Sequence, residues 1–376
     1  MRKNRMMFGG WRASVLCLLL LPCSLAQAGI IFNLTDVTGG GGMGSAALAA
    51  FNRAGTYYSS RLSDNMTINL DISMASLGAG VLGEATSYAI GVSYSTFRTA
   101  VMAAANQTSA ADAAFAAGLP TGSAFSMYVN RTLENSGSPT AYRDSNGTLN
   151  NTSVALTRAN AKALQILDVN NSATDGKIEF NSGFAWDFDP ADGIDSGKID
   201  FTAVAAHEIG HVLGFVSGVD QLDYNAYSTT YLDDTDTYVT PLDFTRFSAD
   251  SQSAGADIDM TADSRDKYFS IDGGVSILVS NAWSTGVNYG DGRQAGHWKD
   301  NLSLGLLDPT LAPGVVGALS TLDLTAFDVM GFELNSAAVP EPGQYVVLAM
   351  LCGAVGWRRF RRPDSRQAPG TESMTA

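Results

Sequence analysis

Cysteine is the residue that the central part of this chain lacks. The 376-residue sequence has three cysteines, Cys17, Cys23 and Cys352, and all of them lie outside residues 29–339. A domain without cysteine forms no disulfide bond, so packing and any bound metal must stabilise it. The same absence excludes a latent form in which a cysteine thiolate blocks a metal ion.

Positive charge is also scarce. Residues 29–339 contain 14 Lys and Arg against 34 Asp and Glu, which gives 14 − 34 = −20 as their net charge. Nucleic-acid binding requires a basic patch that neutralises phosphates, so this composition argues against that class of function, and acidic substrates are disfavoured as well. Only five of the 34 acidic residues are glutamate, which limits the choice of a catalytic glutamate.

Histidine is the third scarce residue, and two of the three histidines are four positions apart. They are the ends of the segment His207-Glu208-Ile209-Gly210-His211. On a helix, positions i and i+4 share one face, so both imidazoles can bind one metal ion. This HExxH pattern is typical of zinc hydrolases, in which the histidines bind zinc and the glutamate is the general base for a zinc-activated water. The alternative is a surface helix with unconnected polar residues.

The residues around this motif predict where its helix begins and ends. Asp200 or Thr202 can cap the start, because each offers a side-chain oxygen to free backbone N–H groups. Gly214 is a stop signal, since glycine adopts the left-handed conformation that ends helices without strain. Apolar residues on more than one side, such as Val204 and Val212, predict a helix that runs through the centre of a domain.

A catalytic zinc ion normally has three protein ligands, and the sequence offers few choices for the third. Ser217 occupies the position of the third histidine in the HExxHxxGxxH pattern, and serine is a poor zinc ligand. No glutamate occurs between Glu208 and Glu333, which nearly closes the option of a glutamate on a following helix. His297 is therefore the predicted third ligand, and Asp220 or another aspartate is the alternative.

The surroundings of His297 indicate a family. His297 follows the glycine-rich stretch 290–296 and precedes the segment 306–311. This order resembles the leishmanolysin variant of the metzincins, in which a long insertion precedes the third histidine and a methionine-containing turn follows it. Leu307 stands where that methionine would be, and the similar volume of leucine allows a hydrophobic floor beneath the zinc to persist. The resemblance implies a zincin-like metalloprotease with zinc bound by His207, His211 and His297.

Both ends of the chain indicate export. Residues 1–28 combine four basic residues, a short apolar run and a small-residue cleavage site, which predicts a secretory signal peptide. Residues 339–362 contain Pro-Glu-Pro, an apolar stretch and an arginine cluster. That order resembles the PEP-CTERM sorting tail of Gram-negative bacteria, which implies an exosortase-type partner and a cell-surface or extracellular location. The alternative is a lasting C-terminal membrane anchor; in either case residues 363–376 form a cytoplasmic tail while the segment is in the membrane.

The predicted fold of residues 29–338 is α+β. An N-terminal subdomain to about residue 214 would hold a mixed sheet, helices and the central active-site helix, and residues 215–335 would form a loop-rich C-terminal subdomain. Within the latter, residues 215–296 would carry part of the substrate cleft. Periodicity predicts helices at 45–62, 92–104, 109–117, 154–167 and 320–331, and strands at 66–72, 125–129 and 178–180.

The predicted function is that of a secreted or cell-surface zinc endopeptidase with Glu208 as general base. The main alternative is a non-proteolytic exported surface or matrix protein with an inactive or structural zincin site; a preserved general base argues against it. A zinc hydrolase that acts on another bond is the second alternative. Tyr289 is one oxyanion-binding candidate among thirteen tyrosines. The acidic segment 187–195 is either a calcium site or a solvated turn, and its spacing favours the turn.

Overall fold

The computed structural model describes residues 29–105, 109–229 and 237–335. The predicted signal peptide (1–28), sorting segment (339–362) and cytoplasmic tail (363–376) lie outside these ranges, and so stay predictions. Within the described ranges, no helix has both the length and the apolar character needed to cross a membrane.

Helices and strands are mixed along the chain, which confirms the predicted α+β class. The helices are α1 (Ser45–Ser59), α2 (Tyr94–Ala104), α3 (Ala110–Gly118), α4 (Leu149–Thr152), α5 (Arg158–Ala163), α6 (Phe201–Leu213), α7 (Val219–Tyr227), α8 (Ala249–Ser253) and α9 (Thr321–Val329), with 3₁₀ turns at Pro190–Asp192 and Pro241–Thr245. The strands are β1 (Ile31–Asp36), β2 (Thr67–Ala75), β3 (Gly83–Ser87), β4 (Ala89–Ser93), β5 (Met127–Val129), β6 (Tyr142–Asp144), β7 (Ser153–Thr157), β8 (Gly176–Asn181), β9 (Trp186–Asp187), β10 (Ile199–Asp200), β11 (Arg246–Phe247), β12 (Ile258–Asp259) and β13 (Tyr268–Phe269).

A four-stranded mixed sheet in the order β1-β2-β8-β3 forms one layer of the main core. β1, β2 and β8 are parallel, whereas β3 is antiparallel to β8 and lies at the edge. Alternate residues of β2, namely Ile68, Leu70 and Ile72, are buried, because successive side chains of a strand point to opposite faces. They join a hydrophobic cluster with residues of α1 and α6, so both helices pack on this sheet.

The ends of α6 are set by the two signals that the sequence contains. Eleven of its thirteen residues are buried, as predicted for a helix that crosses a domain centre. The Asp200 carboxylate accepts a hydrogen bond of 3.0 Å from the backbone N–H of Ala203 and caps the N-terminus. Gly214 ends the helix with φ at 126°, a conformation that side chains rarely allow. Asp200 and Gly214 are therefore confirmed as the boundary residues.

A second hydrophobic cluster lies among α2, α3 and the small sheets β4–β7 and β12–β5–β6. Its aromatic centre is formed by Tyr94, Phe97, Phe125 and Phe244, with the rings of Tyr94 and Phe244 stacked 5.7 Å apart. Beyond β13, residues 270–320 contain no helix or named strand, only turns and isolated bridges. This stretch belongs to residues 215–335, the part of the chain that the sequence predicts to be loop-rich, and α7, α8, α9 and β11–β13 are the helices and strands described within that part.

The other predicted elements agree with the structure within a few residues, except in one region. Residues 154–167 were expected to form one helix, and that prediction is wrong. The chain instead forms β7, which pairs with β4, and then the short helix α5. Val154 and Leu156 alternate into the second cluster, and the Thr157 side chain caps α5 by accepting from Asn160 N–H. Helical periodicity misses this strand because its pairing partners lie 60 to 68 residues earlier in the sequence.

The acidic segment 187–195 is closed by its own backbone. The Asp187 carboxylate accepts hydrogen bonds from the N–H groups of Asp189 and Asp195, at 3.1 and 3.0 Å, and these bonds lower its pKa. Lys198 pairs with Asp195 at 2.6 Å. In the described part of the chain, no three carboxylates of this segment offer oxygens within 4.8 Å of one another. These hydrogen bonds form a turn, and calcium binding by the segment stays a prediction.

Buried carboxylates next to α9 make stability depend on pH. Burial raises the pKa of Asp328 to about 8 and that of Asp64 to about 7, and the nearby Asp112 raises both. In the unfolded chain an aspartate has a pKa of about 3.9, so the folded chain holds protons that unfolding releases. The resulting stabilisation is complete below about pH 4 and is lost as pH rises through the folded values of about 7 and 8.

We therefore expect Asp328→Asn to raise the free energy of unfolding at pH 8.5 by about 1–3 kcal/mol, and by much less at pH 5. The asparagine oxygen can still accept the hydrogen bond that Ser109 Oγ donates at 2.8 Å. Urea unfolding of both proteins across this pH range measures the effect. Asp192→Asn, at an exposed position, is the control and should change neither value. Equal destabilisation by Asp328→Asn at both pH values would contradict the prediction.

Candidate metal centre

Three histidine rings meet at one point beside α6. Their Nε2 atoms are 3.0 Å apart for His207 and His211, 3.1 Å for His211 and His297, and 3.2 Å for His207 and His297. α6 supplies two of them because positions i and i+4 share a helix face, and the long loop after β13 supplies the third. Among the described residues, this is the one group of three or more potential metal-ligating side chains within 4.8 Å.

Each of these rings has its other nitrogen hydrogen-bonded to a backbone carbonyl. A carbonyl only accepts, so Nδ1 carries the proton and Nε2 keeps a free lone pair. Burial lowers the pKa of all three histidines, that of His211 to about 3, which keeps the rings neutral. The Nδ1 partners are Leu306 O for His207 (2.8 Å), Phe215 O for His211 (2.7 Å) and Gln294 O for His297 (3.2 Å).

Three lone pairs that face one another repel unless a cation lies between them. A tetrahedral zinc site with Zn–N distances of 2.0–2.1 Å would separate its nitrogens by about 3.4 Å, close to the spacing of these Nε2 atoms. Neutral imidazole suits zinc, whereas calcium and magnesium prefer oxygen ligands. The chemistry of the donor set therefore fits zinc, and zinc binding stays a proposal.

Glu208 lies between these histidines in sequence and is 5% exposed. Its carboxylate is close to the edge strand β3, where a Cβ added at Gly83 would come within 3.0 Å of Oε1. Burial raises the pKa of Glu208 to about 8, and the charge of Glu84 contributes to this shift. A cation bound nearby acts in the opposite direction and favours the ionised carboxylate, the form that a general base requires.

Asp220 is not part of the histidine group but fixes the loop that carries His297. Its carboxylate accepts hydrogen bonds from the N–H groups of Ala295 (2.6 Å) and Gly296 (3.0 Å). Burial raises its pKa to about 7, and these two bonds oppose that shift. Of the alternatives for the third ligand, the structure thus brings His297, rather than Asp220, to the pair on α6.

Two other residues singled out in the sequence have partners of their own. Ser217 donates its hydroxyl to Asp243 Oδ1 at 2.6 Å, in agreement with the view that it does not bind metal. Tyr289 donates its hydroxyl to the carbonyl of Ala226 at 3.3 Å, and its ring lies 3.6 Å from the guanidinium of Arg131. These contacts give the oxyanion hypothesis for Tyr289 no support.

Leu307 packs against α6 between the two histidines of the motif. It is fully buried, and a Cβ added at Gly210 would come within 2.9 Å of Leu307 Cδ1 and 2.8 Å of Tyr58 Oη. Glycine at position 210 therefore allows this leucine to approach the helix closely. The contact agrees with the hydrophobic floor expected of Leu307 from its position after His297.

Because methionine has nearly the volume of leucine, we expect Leu307→Met to lower the free energy of unfolding by less than about 1.5 kcal/mol and to leave metal binding unchanged. Leu307→Ala creates a cavity and should cost about 2–5 kcal/mol. Thermal or urea unfolding and a zinc titration of both variants measure these effects. Loss of zinc in Leu307→Met would show that the shape of this leucine, and not only its volume, is required.

The sequence contains no signal for the Nδ1 partners, because every residue has a backbone carbonyl. It does contain one for Asp323, which lies three residues after Ser320 in the pattern of a helix capping box. That pattern predicts a helix start but not the contacts of Asp323 with the residues beside His297.

Comparison of the chain with known protein families, curated proteins and solved structures found no match.

Proposed function

We propose that this chain is a zinc-dependent endopeptidase with a zincin-like fold. The observation that carries the proposal is the convergence of three neutral histidine Nε2 atoms, 3.0–3.2 Å apart, beside α6, the helix that contains the HExxH motif. Glu208, which is buried and directly follows His207 in the sequence, would supply the carboxylate that hydrolysis needs. A closed structural site would normally use a fourth protein ligand, and within the described residues no fourth His, Cys, Asp or Glu side chain belongs to this cluster.

The edge strand β3 supports a peptide as the substrate. Among the described residues it pairs with β8 on one side only, and a Cβ added at Gly83, its first residue, would lie 3.0 Å from Glu208 Oε1. An extended peptide can add to such an edge through main-chain hydrogen bonds, which would hold a scissile bond near Glu208 whatever its side chains. The net charge of −20 for residues 29–339 favours neutral or basic peptides over acidic ones.

Zinc, when bound, supplies a Lewis acid that polarises a carbonyl and lowers the pKa of water towards about 7. His207, His211 and His297 would hold it through Nε2, with their Nδ1–H groups fixed by backbone carbonyls. Glu208 would take a proton from the attacking water and deliver it to the leaving amine. Its burial limits access of bulk water to the proton in transit.

The proposed location is the cell surface or the exterior of a Gram-negative bacterium. The signal peptide at 1–28 and the sorting segment at 339–362 support it, with an exosortase-type enzyme as the partner that recognises the tail. The absence of cysteine from residues 29–339 is compatible with export, since no thiol is left to oxidise.

Digestion of a diverse peptide library tests the proposed activity. The zinc-loaded chain should cut internal peptide bonds, a chelator should stop the cuts, and added zinc should restore them, as read by mass spectrometry of the fragments. Bound zinc without any cut would contradict the endopeptidase proposal. That result would favour the alternative of a non-proteolytic exported surface protein.

A further inference from the structure

We infer that Asp323 is a positioning residue for the metal centre, which orients two of its three histidines from outside the ligand set. This inference rests on the proposed binding of a metal by His207, His211 and His297, and it does not depend on peptide cleavage. Asp323 belongs to the first turn of α9, far from α6 in sequence, and it is fully buried.

The Asp323 carboxylate accepts hydrogen bonds from four N–H donors. Oδ1 accepts from the Trp298 indole Nε1 at 2.7 Å and from Leu307 N at 3.3 Å, and Oδ2 accepts from Leu306 N and Ser320 N, both at 2.7 Å. Burial raises the pKa of the Asp323 carboxyl group, and the hydrogen bonds from Ser320, Trp298 and Leu306 act in the opposite direction because they favour the ionised form.

These donors belong to the segments that hold the histidines. Trp298 follows His297 directly, so the indole bond fixes the residue next to the third ligand. Leu306 donates its N–H to Asp323 and accepts the Nδ1–H of His207 with its carbonyl, at 2.8 Å. A bond of 3.0 Å from Trp298 N to Leu307 O joins the two segments. Through these bonds, the Asp323 carboxylate sets the orientation of His297, on the loop, relative to His207, on α6.

The local backbone is built around this carboxylate. A Cβ added at Gly305 would collide with both oxygens of Asp323, so glycine at that position lets the chain pass close to it. Capping α9 needs only the bond from Ser320 N–H, whereas the bonds from Trp298 and Leu306 add nothing to the cap. Partners of ligand residues typically change metal affinity by about 10- to 100-fold when removed.

Asp323→Asn keeps the shape but turns an NH₂ group towards N–H donors. We expect the zinc affinity to fall by about 10- to 100-fold, as measured by competition with a chromophoric chelator, and the absorption spectrum of bound Co²⁺ to change. Circular dichroism of the metal-free variant shows whether it is folded. Ser320→Ala is the first control: it removes the hydroxyl that caps Asp323 N–H in α9 but keeps the carboxylate, so zinc affinity should not change.

A second pair of variants tests the inference even if Asp323→Asn does not fold. Trp298→Phe removes the indole bond to Asp323 and should weaken zinc binding. Trp283→Phe is its matched control, because Trp283 is buried, stacks on Trp298 with ring centres 4.4 Å apart, and has no hydrogen-bond partner for its Nε1 among the described residues. Both changes remove similar volume from one stack, and only the first removes a hydrogen bond to the carboxylate.

The outcomes separate this inference from the proposed function. Wild-type zinc affinity and Co²⁺ spectrum in a folded Asp323→Asn variant would overturn it, as would equal losses of affinity in Trp298→Phe and Trp283→Phe. A wild-type chain that takes up no zinc would overturn the metal centre and this inference together. Zinc binding that depends on Asp323, in a chain that cuts no peptide, would support the inference and reject the endopeptidase.

Discussion

Replacing Glu208 by Gln should leave zinc bound and lower peptide cleavage by about 10²- to 10⁴-fold, the usual contribution of a general base. Glutamine has the shape of glutamate and fits the space that Gly83 leaves beside this side chain, so the fold should be retained. It cannot accept the proton of the attacking water. The value of kcat/KM for a peptide found in the library digestion measures the loss of cleavage. The zinc content of the purified variant measures the retention of the metal.

Glu84→Gln is the matched control for this experiment. Glu84 is an exposed carboxylate on β3, next to Gly83, and its charge contributes to the raised pKa of Glu208. Its replacement removes a neighbouring carboxylate without removing the base, so activity should stay within the range of the parent. Full activity in Glu208→Gln would reject Glu208 as the base, and equal losses in both variants would show that the charge of the region, rather than a base, is what cleavage requires.

Local signals explain which parts of this fold the sequence predicts well. α6 begins at an aspartate whose carboxylate caps the first turn and ends at a glycine with positive φ, and both signals are short-range. α1 and β2 likewise follow from apolar periods of their own residues. Such elements require no knowledge of the partner on which they pack.

Elements that depend on distant partners are predicted poorly. The sequence predicts a helix where β7 forms. The strand character of this segment comes from pairing with β4 and from burial of Val154 and Leu156 in the second cluster, and neither leaves a local signal. The topology of the main sheet, with β3 antiparallel at its edge, also has no short-range signal. Tertiary contacts decide both.

The candidate site shows the same division. His207 and His211 follow from a spacing of four, and His297 follows because it is the one histidine left outside the motif. Asp220 is a candidate ligand by sequence, yet its carboxylate accepts hydrogen bonds from the backbone N–H groups of Ala295 and Gly296, just before His297. A carboxylate that binds metal and one that binds amides look alike in a sequence, because the difference lies in which donors the fold brings to it.

Replacing His297 by Ala should lower the zinc affinity by more than about 100-fold, because loss of a mere partner of a ligand already costs about 10- to 100-fold. The two histidines left on α6 leave the set one ligand short of the three that a catalytic zinc site normally has. The loop should keep its course, since Asp220 binds the backbone N–H groups of Ala295 and Gly296 rather than the imidazole. Equilibrium competition with a chelator and the unfolding temperature with and without zinc measure the result.

Ser217→Ala is the control that separates the two possible positions of a third ligand. Ser217 occupies the place of the third histidine in the shorter metzincin spacing, but its hydroxyl donates to Asp243 at 2.6 Å. Its loss should lower the free energy of unfolding by about 1 kcal/mol and leave the zinc affinity unchanged. Stoichiometric zinc with undiminished affinity in His297→Ala would remove His297 from the ligand set and return the question to the aspartates. Loss of zinc in His297→Ala alone identifies a metal site whose third ligand comes 86 residues after the second.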